Sequence, residues 1–531
     1  MKKRHRPLRM PGLPGLPGLL LFILLAACRP AVLDPPRLAT QTAQAAVTPT
    51  VTETPELLEA PTPTADPGDP ISAVPTPPEV VPNQSITLWV NETSAAHTQV
   101  LTEMAQEFTA ATNIQLEVIQ VTPSFLPQLV ETAVLSNTLP DLILHPLEYS
   151  IGWAERGILD SAAATEIVGQ LGRDTFDSGA LEMVALDDDG TLAALPSEGW
   201  QELIVYRSDW FAEQGLAPPT NYDNMYAAAE TIFQPESIFS GIVIPTESDL
   251  VTTQQAFELI AAANGCRLID QKGEVTLLHP ACLAALDYYL SLIYQFSPIG
   301  VQTDTSALNA YLAGRTGIIM ASPAVLPALA GLDEEFPLTC TDCTTPNYLV
   351  ENSGFQTRLQ GSGDFATTAN FGTLTNLGIT SAAEQEAAAV FAEYWFNEGY
   401  LKWLSVNPER KVPMRQGDTA GSNTFLTAWQ ELPLEEGQPT LTGIYGQELT
   451  NQLVEGITTT NRWAFQEKHG RLVTALYLDL TISRLLQEML SGYFTSSQTI
   501  IEMHNATVAL IPNYAYAIEA ALETPTSAGS Q

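Results

Sequence analysis

The sequence predicts an α/β protein that opens on a parallel sheet. Three observations carry that prediction. Short apolar runs at 86–90, 114–118 and 142–144 have the length and pattern of strands. The stretches between them, 97–112 and 124–137, repeat apolar residues at helical spacing. The chain is also 45% apolar, enough to build packed cores over most of its 531 residues.

The elements follow in order. Ile86-Thr87-Leu88-Trp89-Val90 is a short apolar strand. Val100, Leu101, Met104 and Phe108 then fall on one helical face. Ile114, Leu116 and Val118 alternate with Gln115 and Glu117, as in a half-buried strand. Leu126, Leu129, Val130, Ala133 and Val134 mark a second helix, with Pro127 in its first turn, where proline is tolerated. Leu142-Ile143-Leu144 is a third strand. Strands alternating with helices of this size make a parallel sheet, with ligands at the carboxyl ends of the strands. Those ends are Asn91 to Thr93 and His145 to Glu148.

Charge narrows the partners. The chain has 22 Lys+Arg against 60 Asp+Glu, a net charge of -38. A surface that acidic repels phosphate backbones, so nucleic acid is excluded as a partner. No internal run of 18 apolar residues suggests a polytopic membrane protein.

The N-terminus reads as an address. Bases at Lys2, Lys3, Arg4, Arg6 and Arg9 precede an apolar run from Leu19 to Ala27. Leu25-Ala26-Ala27-Cys28 looks like a bacterial lipobox, which implies a signal peptide over 1–27 and a lipid on Cys28. A plain signal peptide and an uncleaved anchor are the alternatives. Residues 29–83 hold 13 of the 38 prolines, nine threonines and no aromatic residue. Such a segment buries too little apolar surface to fold, and 28–83 reads as a lipid-anchored linker reaching about 170 Å.

Four cysteines remain: Cys266, Cys282, Cys340 and Cys343. An even number in an exported chain reads as two disulfides, with proximity favouring Cys266–Cys282 and Cys340–Cys343. Cys340-Thr341-Asp342-Cys343 also has redox and zinc readings, but no second pair of zinc ligands lies nearby. Asp187-Asp188-Asp189-Gly190 lacks the spaced ligands of an EF-hand and reads as a hairpin turn. Hydrolase, zincin and P-loop motifs are missing, so no enzyme, metal or cofactor is implied.

Longer motifs bring a resemblance. Ile86 to Asn91, Pro140 to Leu144, Glu155 to Asp160, Leu195-Pro196 with Tyr206 to Pro219, Ala310 to Pro323, and Asn370 to Ile379 with Lys411 to Arg415 occur in one order. Together they resemble the extracellular solute-binding proteins of ABC importers, in the sugar-binding group that includes maltose-binding protein. The resemblance spans roughly 84–510. It implies a two-lobe, type II-like periplasmic-binding-protein fold with three crossings, near 196–204, 368–374 and 408–415. The N-terminal lobe would be 84–199 with 374–408, the C-terminal lobe 203–368 with 415–520, and 521–531 a flexible tail. A hinge closing on solute would present a closed form to a permease.

It also implies ligand contacts. Asn91 and Glu92 fall in the loop after the first strand, and His145 and Glu148 in the loop after the third. Trp200 falls at the first crossing, where an indole suits the apolar face of a sugar ring. Gln254 and Phe257 face the cleft from the second lobe, and Arg415 and Tyr477 from the last third. Their bland readings are a solvated loop, a hydrogen-bonded histidine and hinge or core packing. Trp395 and Trp403 read as core. Ala324 stands where the family often has a tryptophan. The resemblance implies a monomeric, membrane-anchored carrier of a sugar or similar solute. A tethered carbohydrate-active enzyme or an adhesin is the alternative.

The anchor reading has a direct consequence. Cys28→Ser should release the protein from the membrane fraction, because acylation needs the thiol and a short apolar run holds poorly. Full retention in that fraction would favour an uncleaved anchor.

Overall fold

The computed structural model describes residues 84–512 apart from 436 and 461. Cys28, the signal segment, the linker up to residue 83 and the tail at 521–531 lie outside the described residues. Two sheets organise the chain. The first has six strands in the order β12-β4-β11-β3-β1-β2. Its members are β1 (Ser85–Val90), β2 (Gln115–Gln120), β3 (Leu142–Pro146), β4 (Leu195–Gln201), β11 (Gly372–Ile379) and β12 (Val412–Pro413). The second has four, in the order β6-β7-β5-β8: β5 (Leu203–Arg207), β6 (Ser240–Val243), β7 (Thr316–Ala321) and β8 (Ser353–Gln356). A small pair, β9 (Leu359–Gln360) and β10 (Thr368–Ala369), stands beside the second.

The opening βαβαβ unit forms where its periodicity places it. β1 pairs in parallel with β2 and β3. Ile86, Leu88 and Val90 are buried, alternating with half-buried neighbours as the pleat requires. The helix Ala95–Thr112 starts at Ser94, whose hydroxyl accepts the His97 backbone N–H. It buries Leu101, Met104 and Phe108, the last edge-on to Phe391 at 5.2 Å. The first sheet is mixed rather than purely parallel: β11 runs antiparallel to both β3 and β4. That reversal follows from the chain's second entry into this sheet from the other lobe.

The second lobe stacks helices on its sheet at close range. A Cβ on Gly241 in β6 would stand 2.0 Å from the Ala229 carbonyl of the helix Tyr222–Ile232. Only a residue without one lets that helix lie so near. Both expected disulfides are present. Cys266–Cys282 ties the end of the helix Val251–Ala263 to the start of the helix Pro280–Phe296, and Cys340–Cys343 closes a tight loop. Asp187–Gly190 makes the expected reverse turn: Ala185 bridges Leu192, and the Asp187 carboxylate accepts the Thr191 N–H at 3.0 Å.

Three passages join the lobes. β4 and β5 are separated by Glu202 alone. Asn370 and Phe371 link β10 to β11. The third passage differs from the expected one. Beyond β12 the chain stays on the first lobe, because Arg415 is anchored there on all sides. Its guanidinium donates to Thr175 Oγ1, the Phe396 and Leu171 carbonyls and Asn397 Oδ1. The helix Thr424–Gln430 packs on β12, and the helix Leu441–Thr458 packs on β4 and β11. From that second helix Tyr445 Oη reaches across to the Leu326 carbonyl of the second lobe. The helix Gly470–Asp479 lies along Leu147–Glu155, which follows β3. Only the helices Thr481–Leu490 and Ser496–Ala509 pack within the second lobe. The segment expected in that lobe from 415 onward therefore first packs on the other lobe and meets the second around Trp463, whose indole donates to the Cys266 carbonyl and packs on Phe257.

The stretch 385–404 holds two helices, Gln385–Phe396 and Tyr400–Leu404, separated at Asn397 by a non-helical ψ of -94°. Trp395 and Trp403 are core residues, as expected. Among the described residues no helix is long and apolar enough to cross a membrane.

Closing a 17-residue loop should stabilise by about 3 kcal/mol in the chain-entropy treatment. Chemical denaturation of the Cys266→Ala/Cys282→Ala protein should lose about that much. The Cys340→Ala/Cys343→Ala protein should lose less, since its loop is far shorter. The reverse ranking would show that packing, not loop closure, governs the effect.

Candidate functional site

The residues that join the lobes centre on Arg462, which no local motif singles out. It follows the helix Leu441–Thr458 and is 2% exposed. Its Nε donates to Glu258 Oε1 at 2.8 Å and its Nη1 to Glu148 Oε1 at 3.1 Å. Nη1 also donates to the Gly372 carbonyl at 3.1 Å. Nη2 donates to Tyr477 Oη at 3.1 Å and, more weakly, to Glu258 Oε2 at 3.5 Å. Five contacts thus match the five N–H bonds of a guanidinium. Its carbon lies 4.1 Å above the centre of the Phe371 ring.

Glu148 belongs to the first lobe and Glu258 to the second, so one side chain ties both. Burial opposes its charge, yet Glu258, Tyr477 and Glu148 together raise its pKa above the ordinary value. Thr373 Oγ1 donates to Glu148 at 3.0 Å, and the Trp463 backbone N–H donates to Glu258 at 2.8 Å. Close helix packing supports the cluster. A Cβ on Gly152 would stand 2.5 Å from Thr474 Oγ1, which accepts the Gly152 N–H and donates to the Glu148 carbonyl.

Beside this clasp lies a cavity of about 550 Å³. Gly152, Glu155 and Arg156 line it from the first lobe, and Ile269, Gln271, Lys272 and Gly273 from a hairpin of the second. The start of the helix Gly470–Asp479 and residues 510–512 complete the wall. Its volume suits a small organic solute.

A second polar cluster braces the first crossing. Trp395 Nε1 donates to Ser197 Oγ at 3.0 Å and Trp403 Nε1 to Glu198 Oε1 at 2.9 Å. The Lys411 ammonium lies 3.5 Å from the centre of the Trp403 ring and donates to the Trp403 carbonyl. Burial lowers the Lys411 pKa to about 8, against the opposing pull of Glu198. Burial, helped by Lys411 and Arg410, holds His97 down at about 3, so its Nε2 can accept from Lys411 at 3.1 Å.

The residues expected to touch solute fall into three groups. Glu148 and Tyr477 are brought together, but through Arg462 rather than at an open surface. His145, Gln254, Phe257 and Arg415 are buried, so none of them offers a free surface in this conformation. His145 is fully buried against Trp153, its Nδ1 against the Pro146 carbonyl, and burial pushes its pKa down to about 4. The β3–β11 register sets it opposite Asn376 inside the lobe. Phe257 packs edge-on between Tyr289 and Trp463. Gln254 lies in the first turn of its helix, its Oε1 without a partner among the described residues. Arg415 is the anchor described above. Asn91, Glu92 and Trp200 remain half-buried at strand ends. Glu92 approaches His97 and Arg410, each at 3.9 Å, and Trp200 tilts toward Phe371 at 6.3 Å. None of the three is in the wall of the cavity.

Comparison with known proteins agrees with this architecture. The family profile described as bacterial extracellular solute-binding protein matches residues 94–337. The Escherichia coli (strain K12) protein YcjN, described as a periplasmic-binding protein of an ABC transporter, is 26% identical over 312 residues, 57% of this chain and 67% of its own. Maltose-bound MalE3 of T. maritima superposes with a TM-score of 0.61 at 18% identity, covering 80% of this chain and all of its own. A solute-binding protein from Agrobacterium radiobacter K84 in complex with ribitol gives 0.59 at 15%, covering 81% and 99%. At those identities the two structures speak for the fold alone. Two α/β lobes, three passages between them and a cavity at their junction agree with the profile match, which covers 94–337 and makes this part of the chain similar to the bacterial extracellular solute-binding proteins.

Proposed function

We propose that the protein captures a sugar or polyol in the cavity between its lobes and delivers it to an ABC permease. In this reading it is a monomer held outside the cytoplasm by a lipid on Cys28. The observation that carries the reading is the cavity itself, walled by both lobes and of a size for a small solute. The maltose and ribitol bound by structural relatives support the solute class, and the description of YcjN supports the transporter partner. The matched relatives are binding proteins rather than enzymes, which disfavours the tethered-enzyme reading.

The geometry suggests how binding would report itself. The lobes can move only about the three passages, and the first is a single residue long. A solute held by both walls would favour the closed form by its differential contacts there. Trp200, two residues before Glu202, would sense the motion in this reading.

Thermal-shift screening of mono- and disaccharides and sugar alcohols on the exported chain should find a ligand that raises Tm without being turned over. Product formation from any of them would favour the enzyme reading. With that ligand, the intrinsic fluorescence should change on binding as closure alters the surroundings of Trp200 beside Phe371, and Trp200→Ala should reduce that change. A change of the same size in the variant would show that Trp200 does not sense closure.

A further inference from the structure

We propose that the solute of the interlobe cavity carries an anionic group, a carboxylate or phosphate on a sugar or polyol frame. The inference rests on the reading above that this cavity takes a carbohydrate-type solute. What points to the anion is where a base-poor chain spends its bases. Against 60 acids the protein has 22 Lys+Arg. Four of them, Arg156, Lys272, Lys468 and Arg471, line this one cavity, and His469 joins them. Glu155 is the one carboxylate in the same wall.

The four bases come from three parts of the fold. Arg156 ends the helix after β3 in the first lobe. Lys272 sits in the second-lobe hairpin closed by the Ile269–Val275 bridge. Lys468 and Arg471 stand together at the start of the helix Gly470–Asp479. Folding brings these three parts, far apart in sequence, to one cavity.

Their existing partners leave them available. Glu131 holds Arg156, Glu182 holds Lys468 and Glu155 stands 3.7 Å from Arg471. The Arg156 and Arg471 pairs are solvent-exposed and Lys468 is half-buried against an exposed Glu182; surface pairs of this kind contribute little and exchange readily. Lys272 makes no ion pair within 4 Å among the described residues. The nearby Asp270 carboxylate is taken up by the backbone N–H groups of Lys272 and Glu274, both at 2.9 Å. The rest of the wall, including Leu472, Leu478 and Ile511, is apolar and suits the faces of a sugar ring.

The arrangement also couples charge to closure. Arg156 and Lys272 approach the cavity from different lobes, so bringing the lobes together concentrates like charge. An anion between them removes that repulsion and adds charge-assisted hydrogen bonds to both walls. A neutral solute would lack this differential interaction.

Calorimetry on the full exported chain tests the proposal with matched probes: D-glucose, D-glucuronate and D-glucose 6-phosphate, then D-galactose, D-galacturonate and digalacturonate. At least one anionic member should bind tenfold or more tightly than its neutral counterpart. The carboxylate and phosphate arms identify which oxyanion is taken. Lys272→Gln and Arg471→Gln, both on exposed side chains, should each weaken the anionic probe about tenfold and leave any neutral probe unchanged. Neutral members binding as tightly as the anionic ones, or variants that weaken both classes equally, would overturn the anionic assignment while leaving the carbohydrate reading in place. If no probe binds, and the wider screen of neutral sugars and polyols is also empty, the carbohydrate reading falls and this inference falls with it.

Discussion

The relation between the lobes depends on one buried cation. Arg462 reaches Glu148 on one side and Glu258 on the other, with Tyr477 and the Gly372 carbonyl filling its remaining directions. Taking three charges out of water is costly, and such a cluster does not add stability merely by existing. Its effect is geometric. A guanidinium matches carboxylates only along a few planar directions, so the two lobes meet in one register. Removing it leaves two buried carboxylates facing each other, which costs several kcal/mol. The Gly152–Thr474 approach and the ring of Phe371 exist in the form they do because they must fit around this contact.

The passages carry the complementary constraint. A first crossing one residue long cannot absorb motion by slack, so its flanks must be rigid. Ser197 and Glu198 are held by two indole N–H groups, and Lys411 lies against one of those indoles. Burial, reinforced by Asp304, pushes the Glu202 carboxyl up to about 8 at the crossing itself, which therefore carries a largely neutral acid at physiological pH. Rigid flanks and a short neutral pivot stand at the first passage, and the Arg462 clasp stands on Phe371 at the second. On the proposed reading, the cavity is the space that motion about these passages would open and shut.

How much of this the sequence disclosed depends on the range of the interaction. Periodicity placed β1, β2, β3 and their two helices, because burial alternates along a strand and recurs every third or fourth residue of a helix. Colinear motifs gave the lobes and the first two crossings. What stayed hidden was set by contacts between distant segments. Arg462 stands next to a tryptophan in an unremarked stretch, and its partners lie 204 and 314 positions away. His145 and Glu148, three residues apart at the end of β3, could not be told apart by spacing. The β11 register buries the first against Trp153, while the next helix turns the second toward Arg462. Arg415 is a candidate ligand contact by the resemblance alone, because nothing local announces that residues 171, 175, 396 and 397 surround it. The third passage was drawn too short for the same reason.

The central claim is that Arg462 clasps the lobes, and small-angle X-ray scattering of Arg462→Met beside the parent protein, both without solute, tests it most directly. Methionine keeps bulk and apolar contact with Phe371 but can bridge no carboxylates. The account predicts a larger radius of gyration and a broader distance distribution for the variant, with secondary structure retained by circular dichroism. Superimposable scattering curves from two equally folded proteins would contradict it, and would place the hold between the lobes in the helix packing around Gly152 and Thr474 instead.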